Sequence, residues 1–532
     1  MSSARLDVLV VGAGFSGLYA VHKAREAGFR VGGVEAAPTV GGTWYWNRYP
    51  GARCDVESLD YSYSFDEALQ REWRWSERYA TQPEILAYAE HVADRFDVRG
   101  HIDFSRKVVA AHFRDDTATW TVSTDTGHRY STRFLVFATG SLSAPHQPGL
   151  PGFADFTGEV LFTARWPEEG ADLTGKRVGV IGTGSSGIQS VPIIAEQAAS
   201  VTVFQRSANY SVPAGNRPLT DADQVRAQRD YPQRRRKSWA STAGSPHDAY
   251  PGSALEVDED TRREVFEARW QQGGVLFGKT FPQQTIDERV NRLARDFAEA
   301  KIRAIVRDPR TADDLVPTDH PIGTKRICTD SGYFETFNLP HVTLVNLRRE
   351  PITTLTANGI RTSEAHYELD TLVLATGFDA MTGALTRIDI SGPRENHISS
   401  VWGNGPLTYL GVGIPGLPNL FSLTGPGSPS VLANMILAAE QQVNWLVELL
   451  RHCAESGFTQ VEPRRDAAQA WTRHVDEVAG ATLFPKAASW YMGANIAGKP
   501  QGFMPYIGGF AAYGEVCDAV RDAGYRGFVF TS

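Results

Sequence analysis

Residues 6–17 read LDVLVVGAGFSG, and this stretch decides the fold class of the chain. The apolar run Leu6–Val11 is typical of a strand that is buried in a parallel sheet. Gly12, Gly14 and Gly17 follow at the G-x-G-x-x-G spacing, with a helical stretch behind them. The first glycine makes a tight turn, the second lets the backbone approach a pyrophosphate, and the third lets the helix pack on the strand. The stretch therefore predicts a dinucleotide-binding α/β unit.

The residue after the next strand indicates which dinucleotide binds there. The predicted strand 29–34 ends in Glu35, which follows the glycines at about the 20-residue spacing of an acid that accepts from a ribose 2′-hydroxyl. A carboxylate in this place would also repel a 2′-phosphate. The first site is therefore expected to bind FAD or NAD.

A second glycine motif, GTGSSG at residues 182–187, follows a short predicted strand at 176–181. Arg206 stands after this motif much as Glu35 stands after the first one. A guanidinium there matches a 2′-phosphate, and a charge-assisted hydrogen bond contributes about 1.5–3 kcal/mol. The second site is therefore predicted to bind NADP. With FAD in the first site, the chain would pass electrons from NADPH to a flavin and then to an acceptor.

Composition limits the other possible functions. The chain has 532 residues and a net charge of −8, which argues against a general nucleic-acid-binding protein. Its four cysteines include no C-x-x-C pair, so we expect no disulfide framework, no cysteine zinc site and a reducing, cytoplasmic compartment. No run of about 18 apolar residues predicts a membrane span. The histidines form no H-x-H or H-x-x-x-H group, so no metal site is expected.

Two similar strand ends indicate how the chain is divided. The segments FLVFATG at 134–140 and TLVLATG at 371–377 each close a nucleotide-binding half at a glycine. The stretch 145–152, rich in Pro and Gly, is typical of a linker. We therefore expect an NADP domain inserted into a discontinuous FAD domain, with the limits 1–142 (FAD, first part), 143–379 (NADP) and 380–532 (FAD, second part).

The segment 216–318 of the NADP half is polar and charged, with helical spacing of its apolar residues. The sequence from Thr285 to Glu288 reads as a capping box ahead of one such helix. The basic run at residues 234–237 is expected to be a solvated helix face. The predicted fold class is thus α/β, with two Rossmann-like dinucleotide-binding domains and a helical insertion.

The segment 41–55, GGTWYWNRYPGARCD, is aromatic-rich and interrupted by Pro, which predicts a loop over the cofactor. A buried Asp55 in such a loop needs a cationic partner. The candidate is Arg326 in the short segment GTKR at 323–326. An arginine that faces a reduced, oxygenated flavin would stabilise developing negative charge, and the aspartate would hold it in place. We therefore predict Arg326 and Asp55 as the catalytic residues.

With these residues in view, the chain resembles the type I, or class B flavoprotein, Baeyer–Villiger monooxygenases, and among them the phenylacetone and steroid monooxygenase group. The loop 41–55 fits the family pattern G-G-x-W-x-x-x-x-Y-P-G-x-x-x-D at every fixed position. The segment 156–167 fits the pattern F-x-G-x-x-x-H-x-x-x-W-P except at Phe162, where the family has His. The segments 425–429 and 488–495 also look like this group.

The resemblance implies a reaction and a set of roles. NADPH would reduce FAD, O2 would add to give a C4a-peroxyflavin, and this species would convert a ketone to an ester or lactone. Arg326 would stabilise the peroxyanion, and Asp55 would orient Arg326. Lys325 and Arg206 would hold the 2′-phosphate, and Trp490 would contact the nicotinamide nucleotide from a mobile loop. The partners implied are a ketone and O2, with no nucleic acid and no membrane, and the enzyme would be a monomer.

The resemblance also assigns binding residues. Those expected at FAD are Gly12, Gly14, Gly17, Glu35, Thr43, Trp44, Tyr45, Trp46, Asp55, Tyr61, Val108 and Met435. Those expected at NADP are Arg53, Thr183, Gly184, Ser185, Ser186, Gly187, Gln189, Arg206, Ser207, Lys325, Arg326 and Trp490. The candidate substrate residues, carried over from loops that flank the flavin, are Ser141, Leu142, Ser430, Val431 and Leu432.

Three other functions remain open at this point. A nitrogen- or sulfur-oxygenating flavin monooxygenase would carry Tyr or Phe in place of Trp166, and Asp55 and Arg326 also count against it. An uncoupled NADPH oxidase is suggested by Phe162 alone, because a phenyl ring cannot form the hydrogen bonds of the motif histidine. A redox-silent NADPH sensor would not need Arg326 beside two complete nucleotide sites.

Overall fold

The computed structural model describes residues 5–532, which form two main β-sheets with helices packed against them. In chain order the strands are β1 (Leu6–Val11), β2 (Val31–Val34), β3 (Ile102–Asp103), β4 (Val108–Arg114), β5 (Thr119–Thr124), β6 (Arg129–Phe137), β7 (Glu159–Phe162), β8 (Arg177–Ile181), β9 (Ser200–Gln205), β10 (Ser211–Pro213), β11 (Cys328–Asp330), β12 (Val342–Asn346), β13 (Ile352–Thr356), β14 (Gly359–Thr362), β15 (His366–Glu368), β16 (Thr371–Leu374), β17 (Asp389–Ser391), β18 (Leu420–Ser422), β19 (Gln460–Pro463) and β20 (Phe528–Thr531).

The α-helices in chain order are α1 (Phe15–Glu26), α2 (Thr43–Trp46), α3 (Glu67–Glu72), α4 (Gln82–Arg95), α5 (Ser185–Ala195), α6 (Asp221–Trp239), α7 (Glu259–Gln272), α8 (Glu288–Ile305), α9 (Pro309–Leu315), α10 (Tyr333–Thr336), α11 (Gly383–Thr386), α12 (Ile398–Val401), α13 (Met435–Glu455), α14 (Arg465–Gly480) and α15 (Phe510–Asp522). Short 3-10 turns occur at Arg99–His101, Phe153–Asp155, Thr163–Arg165, Val275–Lys279, Pro393–Glu395, Ser430–Leu432, Phe484–Lys486 and Trp490–Met492.

The first sheet has eight strands in the order β17-β4-β5-β6-β1-β2-β3, with β18 paired to β6. Strand β1 lies parallel to β2 and β6, as a dinucleotide-binding unit requires. Strands β17 and β18 come late in the chain and return to this sheet. The helices α1 and α13 pack on one face of it, so the residues after 380 complete the layer that the N-terminus begins.

The second sheet has five strands in the order β12-β9-β8-β16-β7, all parallel. Helix α5 follows β8 directly and packs its apolar face on the sheet. Every residue of β16 is buried, because parallel strands in such folds are covered on both faces. The second sheet is all parallel, and the first is mixed, with antiparallel pairs β4–β5 and β5–β6 beside its parallel strands. Sheets of this kind with crossover helices confirm the predicted α/β fold class. The exact limits of the two domains stay a prediction.

Helices α6 to α9 lie between strands β10 and β11 and form the predicted helical insertion, with an aromatic core of their own around Phe266, Phe277 and Phe281. The capping box predicted from Thr285 to Glu288 is wrong. Helix α8 begins at Glu288 with Asp287 as its N-cap, whose side chain accepts from the N–H of Arg289. The aspartate stands immediately before the helix, so it displaces the threonine as the cap.

The basic run on α6 does not form a solvated face as a whole, so that prediction is wrong for half of the run. Arg236 and Lys237 are exposed, but Arg234 is half-buried and Arg235 is buried. Their guanidinium groups bond to the segment that follows Asp55. A charge run predicts solvent exposure only where no acid faces it, and here two acids do.

Among residues 5–532, no helix combines the length and the apolar character that a membrane crossing requires.

Candidate active site

The first glycine loop leaves room for a phosphate group against its backbone. Gly12 has a φ of 107°, and a Cβ there would lie 2.6 Å from the carbonyl oxygen of Ala138. A Cβ on Gly14 would meet only the backbone of Gly42, with the Cα at 3.5 Å and the nitrogen at 3.9 Å. Helix α1 has no side-chain cap and no acid in its first turn, so its leading N–H groups are available to an anion. This geometry fits the pyrophosphate of a dinucleotide.

Glu35 lies at the end of β2 and binds the backbone of this loop. Its two carboxylate oxygens accept from the N–H groups of Ala13 at 2.6 Å and of Ala37 at 2.7 Å. Burial raises the pKa of Glu35 above the ordinary value of a glutamate, although these hydrogen bonds oppose the shift. Each oxygen keeps a further lone pair, so the carboxylate can still accept from a ribose hydroxyl.

The second glycine loop repeats the first in detail. Gly182 has a φ of 114°, and a Cβ on Gly187 would lie 2.2 Å from the carbonyl oxygen of Gly182, so close helix packing requires glycine there. A Cβ on Gly184 would meet nothing within 4 Å. Helix α5 is likewise uncapped and has no acid in its first turn. The Thr183 hydroxyl donates to the carbonyl oxygen of Ser207, which ties the loop to the end of β9.

Three cations gather beside this loop, and the sequence predicted two of them. Arg206 is exposed, and the Arg348 guanidinium donates to its carbonyl oxygen at 3.0 Å and to the Ser207 hydroxyl at 3.1 Å. Lys325 lies 3.8 Å from Asp319. Burial lowers the pKa of Lys325; Asp319 opposes this shift, and Arg206 and Arg348 add to it. Asp319 also pairs with Arg348 at 2.5 Å. Three cations therefore share one carboxylate, which leaves a net positive charge for an anion.

Arg348 was missed because no motif marks it. It follows β12, which pairs with β9, and parallel strands end at the same edge of a sheet. That rule would have placed Arg348 near Arg206.

Asp55 and Arg326 form the bidentate ion pair that the sequence predicts. The Arg326 Nε and Nη2 groups donate to the two carboxylate oxygens of Asp55, both at 2.7 Å. Burial opposes the charge on the guanidinium, but Asp55 outweighs it and raises the pKa of Arg326 above its ordinary value. The arginine therefore carries a permanent positive charge between the two nucleotide loops.

The guanidinium of Arg326 is also held by a third segment. The Nη1 group of Arg326 donates to the carbonyl oxygen of Val431 at 2.8 Å. The buried Tyr491 lies near the guanidinium, and burial raises the pKa of its phenol to about 12, although the charge of Arg326 opposes the shift. The tyrosine therefore stays neutral. It is the neighbour of the predicted Trp490, and sequence reasoning missed it because only the tryptophan carried a family role.

The two segments that match the family patterns, 41–55 and 156–167, contact each other in the structure. The Arg165 guanidinium stacks on the Trp46 ring, 3.9 Å from the ring centre. Arg48 approaches Glu168 at 3.5 Å, and the Tyr45 hydroxyl donates to the same carboxylate at 3.4 Å. These contacts join the loop 41–55 to Arg165 of the segment 156–167 and to Glu168 directly after it, so the loop is held from the NADP half.

Other residues predicted at FAD lie in different surroundings. The Trp44 indole donates to the hydroxyl of Tyr61, six residues beyond the end of the loop, at 3.0 Å. Thr43 is the exposed first residue of α2. Val108 is buried in β4, among the apolar residues on the far side of the first sheet. Met435 opens α13 and packs with Val431, Leu432 and Trp490.

The residues predicted to line a substrate pocket fall into two groups. Val431 and Leu432 share an apolar cluster with Trp490, and Leu142 reaches the same tryptophan from the other side through Met381. Ser141 and Ser430 are buried. The Ser430 hydroxyl donates to the carbonyl oxygen of Thr424, so its bonding is local. The apolar residues therefore lie together beside Arg326, whereas the two serine side chains are buried in the protein interior.

Two contacts that the sequence did not suggest anchor the loop that carries Trp490. The Lys499 ammonium lies 2.6 Å from an Asp379 carboxylate oxygen and donates to the carbonyl oxygen of Ala380 at 2.7 Å. The Asn495 amide donates to the carbonyl oxygen of Phe378 at 2.7 Å. All three partners follow β16, so the loop rests on the point where the NADP half returns to the first sheet.

The predicted NADP residues of the loop 41–55 and of α5 meet at the junction of the two sheets. The Tyr49 hydroxyl donates to the Gln189 side chain at 2.8 Å, and Gln189 donates to the carbonyl oxygen of Arg53 at 3.2 Å. The Arg53 guanidinium binds Glu77 at 2.5 Å, so its charge is already paired. The Ser185 hydroxyl lies 3.3 Å from the Cys328 sulfur, and Thr163 donates to Ser186 at 3.2 Å.

Phe162 occupies an apolar environment. It ends strand β7, is half-buried, and packs in a cluster with Phe156, Ile181 and Phe204 on the second sheet. The aromatic ring therefore fixes this segment by packing, in a place where the family pattern has a hydrogen-bonding side chain.

Comparisons with known proteins indicate which family the chain resembles over its length. A family profile described as pyridine nucleotide-disulphide oxidoreductase matches residues 9–218, although the four cysteines of this chain are all free. The chain is 43% identical over 533 residues to a Baeyer–Villiger monooxygenase of Pseudooceanicola batsensis, covering 99% of the chain and 96% of that protein. It is 41% identical over 532 residues to a phenazine N-monooxygenase of Lysobacter antibioticus, covering 99% and 97%. A solved structure of oxidized steroid monooxygenase bound to NADP matches with a TM-score of 0.95 and 54% identity, covering 99% of this chain and all of that one.

Proposed function

The chain belongs to the Baeyer–Villiger monooxygenases, and we propose from this premise that it converts ketones to esters or lactones with FAD, NADPH and O2. FAD binds at the first glycine loop, where Glu35 accepts from the adenosine ribose. NADPH binds at the second loop, where the uncapped helix α5 holds the pyrophosphate and Arg206, Lys325 and Arg348 hold the 2′-phosphate. When bound, the reduced flavin supplies the activation of O2 that protein side chains cannot provide.

The bidentate pair of Asp55 and Arg326 is the observation that carries this proposal. A ketone carbonyl that is attacked by a nucleophile gains negative charge on its oxygen. A permanently charged guanidinium that is already oriented stabilises that charge without reorganising, which lowers the barrier. Asp55 and the carbonyl oxygen of Val431 fix the plane of Arg326 before substrate enters.

Apolar side chains next to Arg326 favour a carbon-rich substrate. Leu432, Met435 and Trp490 are half-buried and share one cluster beside Val431, so a hydrocarbon group can replace water there. Such a pocket with one charged group fits a ketone, whose single polar atom would face the guanidinium.

Oxygenation of a heterocyclic nitrogen is a second candidate, because one relative that covers nearly the whole chain is a phenazine N-monooxygenase. An amine or ring nitrogen does not accumulate negative charge when it is oxygenated, so it would not need Arg326 in the same way. The oriented guanidinium therefore favours the ketone. An uncoupled NADPH oxidase is not favoured either, because relatives that cover nearly the whole chain are named as oxygenating enzymes.

One experiment separates these functions. The purified protein is incubated with NADPH and 18O2 and with matched panels of ketones and aromatic nitrogen heterocycles, and the products are identified by mass spectrometry. We expect one labelled oxygen in an ester or lactone. Labelled N-oxides without any ester, or hydrogen peroxide as the sole product, would contradict the proposal.

We further propose that the enzyme is a monomer of a reducing compartment, with domain limits at 1–142, 143–379 and 380–532. Support for the compartment comes from Cys54, Cys328, Cys453 and Cys517, which are all buried and free. Light scattering coupled to gel filtration tests the oligomeric state. A mass of twice the chain would contradict it.

A further inference from the structure

The basic run on α6 is a conspicuous feature that the proposed function leaves unexplained. Arg234 reaches from the helical insertion to Asp60, with Nε 2.5 Å from one carboxylate oxygen and Nη2 2.6 Å from the other. The same Nη2 group lies 2.8 Å from Glu57. The Asp60 side chain is only 2% exposed, so this is a buried bidentate pair and not a surface contact.

Arg235 holds the backbone of the same segment. It is buried and donates to the carbonyl oxygen of Asp60 at 3.2 Å, to the Ser62 hydroxyl at 2.7 Å and to the carbonyl oxygen of Tyr63 at 3.4 Å. Two successive arginines of the insertion therefore fix residues 57–63 through both side chains and main chain.

Further charges complete the cluster. Arg78 donates from Nε and Nη2 to one oxygen of Glu57, at 3.0 Å and 2.8 Å. His247 lies 3.3 Å from Glu57 and 3.9 Å from Asp60. Carboxylates and a histidine in one place could suggest a metal site. Arginines already engage the carboxylates, so the group is an ion-pair cluster.

Residues 57–63, which Arg234 and Arg235 hold in place, are connected to the catalytic pair in two ways. Glu57 follows Asp55 by two residues, so a shift of one moves the other. The carbonyl oxygen of Asp60 also accepts from the Asn434 side chain at 2.7 Å. Asn434 caps α13 only three positions after Val431, whose carbonyl oxygen holds Arg326. The arginines thus brace both the residue that orients Arg326 and the segment that receives its third hydrogen bond.

We propose that Arg234 and Arg235 are positioning residues, through which the helical insertion sets the geometry of the Asp55–Arg326 pair. The inference rests on the proposed ketone oxygenation. Without the contacts of Arg234 and Arg235, residues 55–60 can shift. The guanidinium of Arg326 then keeps its charge but loses its fixed orientation. A misplacement of about 1 Å in a reacting group can cost about 100-fold in rate. Electrons taken from NADPH then leave as hydrogen peroxide rather than in an ester.

The test compares Arg234→Met and Arg234→Lys with Arg236→Met in the full-length holoenzyme. Arg236 belongs to the same run on the same helix but is exposed, so its replacement is the matched control. For each variant we measure FAD content, the KM for NADPH, the kcat for ester formation, and the ester and hydrogen peroxide formed per NADPH consumed. All assays run at a temperature where circular dichroism shows the variant folded.

We expect Arg234→Met to retain FAD and an unchanged KM for NADPH, and to lose about 10- to 100-fold in ester formation as hydrogen peroxide rises. Ester formation by Arg234→Lys should fall between that of Arg234→Met and that of the wild type. The lysine ammonium keeps the positive charge but cannot form the two parallel hydrogen bonds of a guanidinium. Arg236→Met should match wild type. A brace with a purely structural role would lower the melting temperature and leave the ester-to-NADPH ratio unchanged.

Each outcome decides one of the two ideas. If the wild type forms no ester from any ketone, the proposed function fails and the brace has nothing to position. If the wild type forms ester and Arg234→Met matches its ratio, the positioning role alone is wrong. If Arg234→Met does not fold, Arg234→Lys carries the test. A wild-type ratio for the lysine variant would then overturn the inference, and a reduced ratio would support it.

Discussion

Arg326 and Asp55 are 271 residues apart in sequence and meet through two hydrogen bonds of 2.7 Å. One stands in the segment that leads back from the helical insertion, and the other stands in the loop over the first glycine site. The pair therefore exists only when the two nucleotide-binding halves are assembled. Its geometry reports directly on how the halves fit together.

Replacing Arg326 should remove oxygenation but not flavin binding. Loss of one charge-stabilising donor costs about 10²- to 10³-fold in rate, so we expect at least this loss of ester formation in Arg326→Ala. Arg326→Lys should recover only part of the lost ester formation. It restores the positive charge, but a lysine cannot bind Asp55 through two parallel hydrogen bonds. Asp55→Ala should be milder than Arg326→Ala, since the guanidinium remains but is poorly oriented. Ester formation is measured by gas chromatography, and FAD by absorbance.

The control for this prediction is FAD content, because Glu35 binds Ala13 and Ala37 and Arg326 binds Asp55 and Val431, so the two sets of hydrogen bonds share no residue. A variant that loses FAD would report on folding and not on the reaction. An Arg326→Ala protein that keeps FAD and forms ester at the wild-type rate would show that the pair is structural.

The three cations beside the second glycine loop should set the choice of NADPH over NADH. One charge-assisted contact to the 2′-phosphate corresponds to at least about tenfold in affinity. We expect Arg206→Ala and Arg348→Ala each to raise the KM for NADPH more than the KM for NADH. The adjacent Arg349→Ala is the control, because that guanidinium binds Asp314 and not Ser207 or Asp319, the partners of Arg348. Equal effects on both coenzymes would mean that these side chains do not reach the phosphate.

Phe162 should act through packing. Because the ring lies half-buried among apolar side chains, Phe162→Ala should lower the free energy of unfolding by about 1–3 kcal/mol. It should also lower the ester formed per NADPH, since the segment beside Ser186 loosens. Phe162→His fills most of the same volume and should keep a ratio close to wild type. Chemical denaturation gives the first quantity and product analysis the second. A Phe162→Ala variant with an unchanged ratio would contradict a role in coupling.

The sequence predicted those parts of the site whose chemistry is local. A glycine loop and the residue that ends the next strand lie within one supersecondary unit, so Glu35 and Arg206 could be placed by spacing alone. The Asp55–Arg326 pair was predicted across a long distance for two reasons. A buried carboxylate needs a cation, and the segment GTKR at 323–326 resembles the one that carries the family's arginine.

The parts that could not be predicted depend on tertiary partners without a local signature. Arg234 and Arg235 sit in a charged helix whose pattern is the same whether solvent or Asp60 faces it. Lys499 and Asp379 meet because a late loop folds back on the end of β16. Sequence spacing carries no information about such contacts, and a single sequence offers no covarying positions to reveal them.

Glu35 should determine whether the protein retains its flavin. Its carboxylate accepts from both Ala13 and Ala37, and a carboxamide has only one accepting oxygen. In Glu35→Gln one buried N–H group therefore faces an NH2 group, which costs about 1–3 kcal/mol. We expect FAD to bind about 10- to 100-fold more weakly, as measured by titrating the apoprotein with FAD.

The matched control is Glu26→Gln at the exposed end of α1, where the carboxylate binds only Lys23 and His22 on the surface. It should keep wild-type affinity for FAD, because it does not touch the glycine loop.

Flavin released from the denatured wild type should be FAD by mass spectrometry, since FMN has no adenosine ribose for Glu35 to bind. Release of FMN, or equal FAD affinity in the wild type and Glu35→Gln, would show that Glu35 does not recognise the dinucleotide.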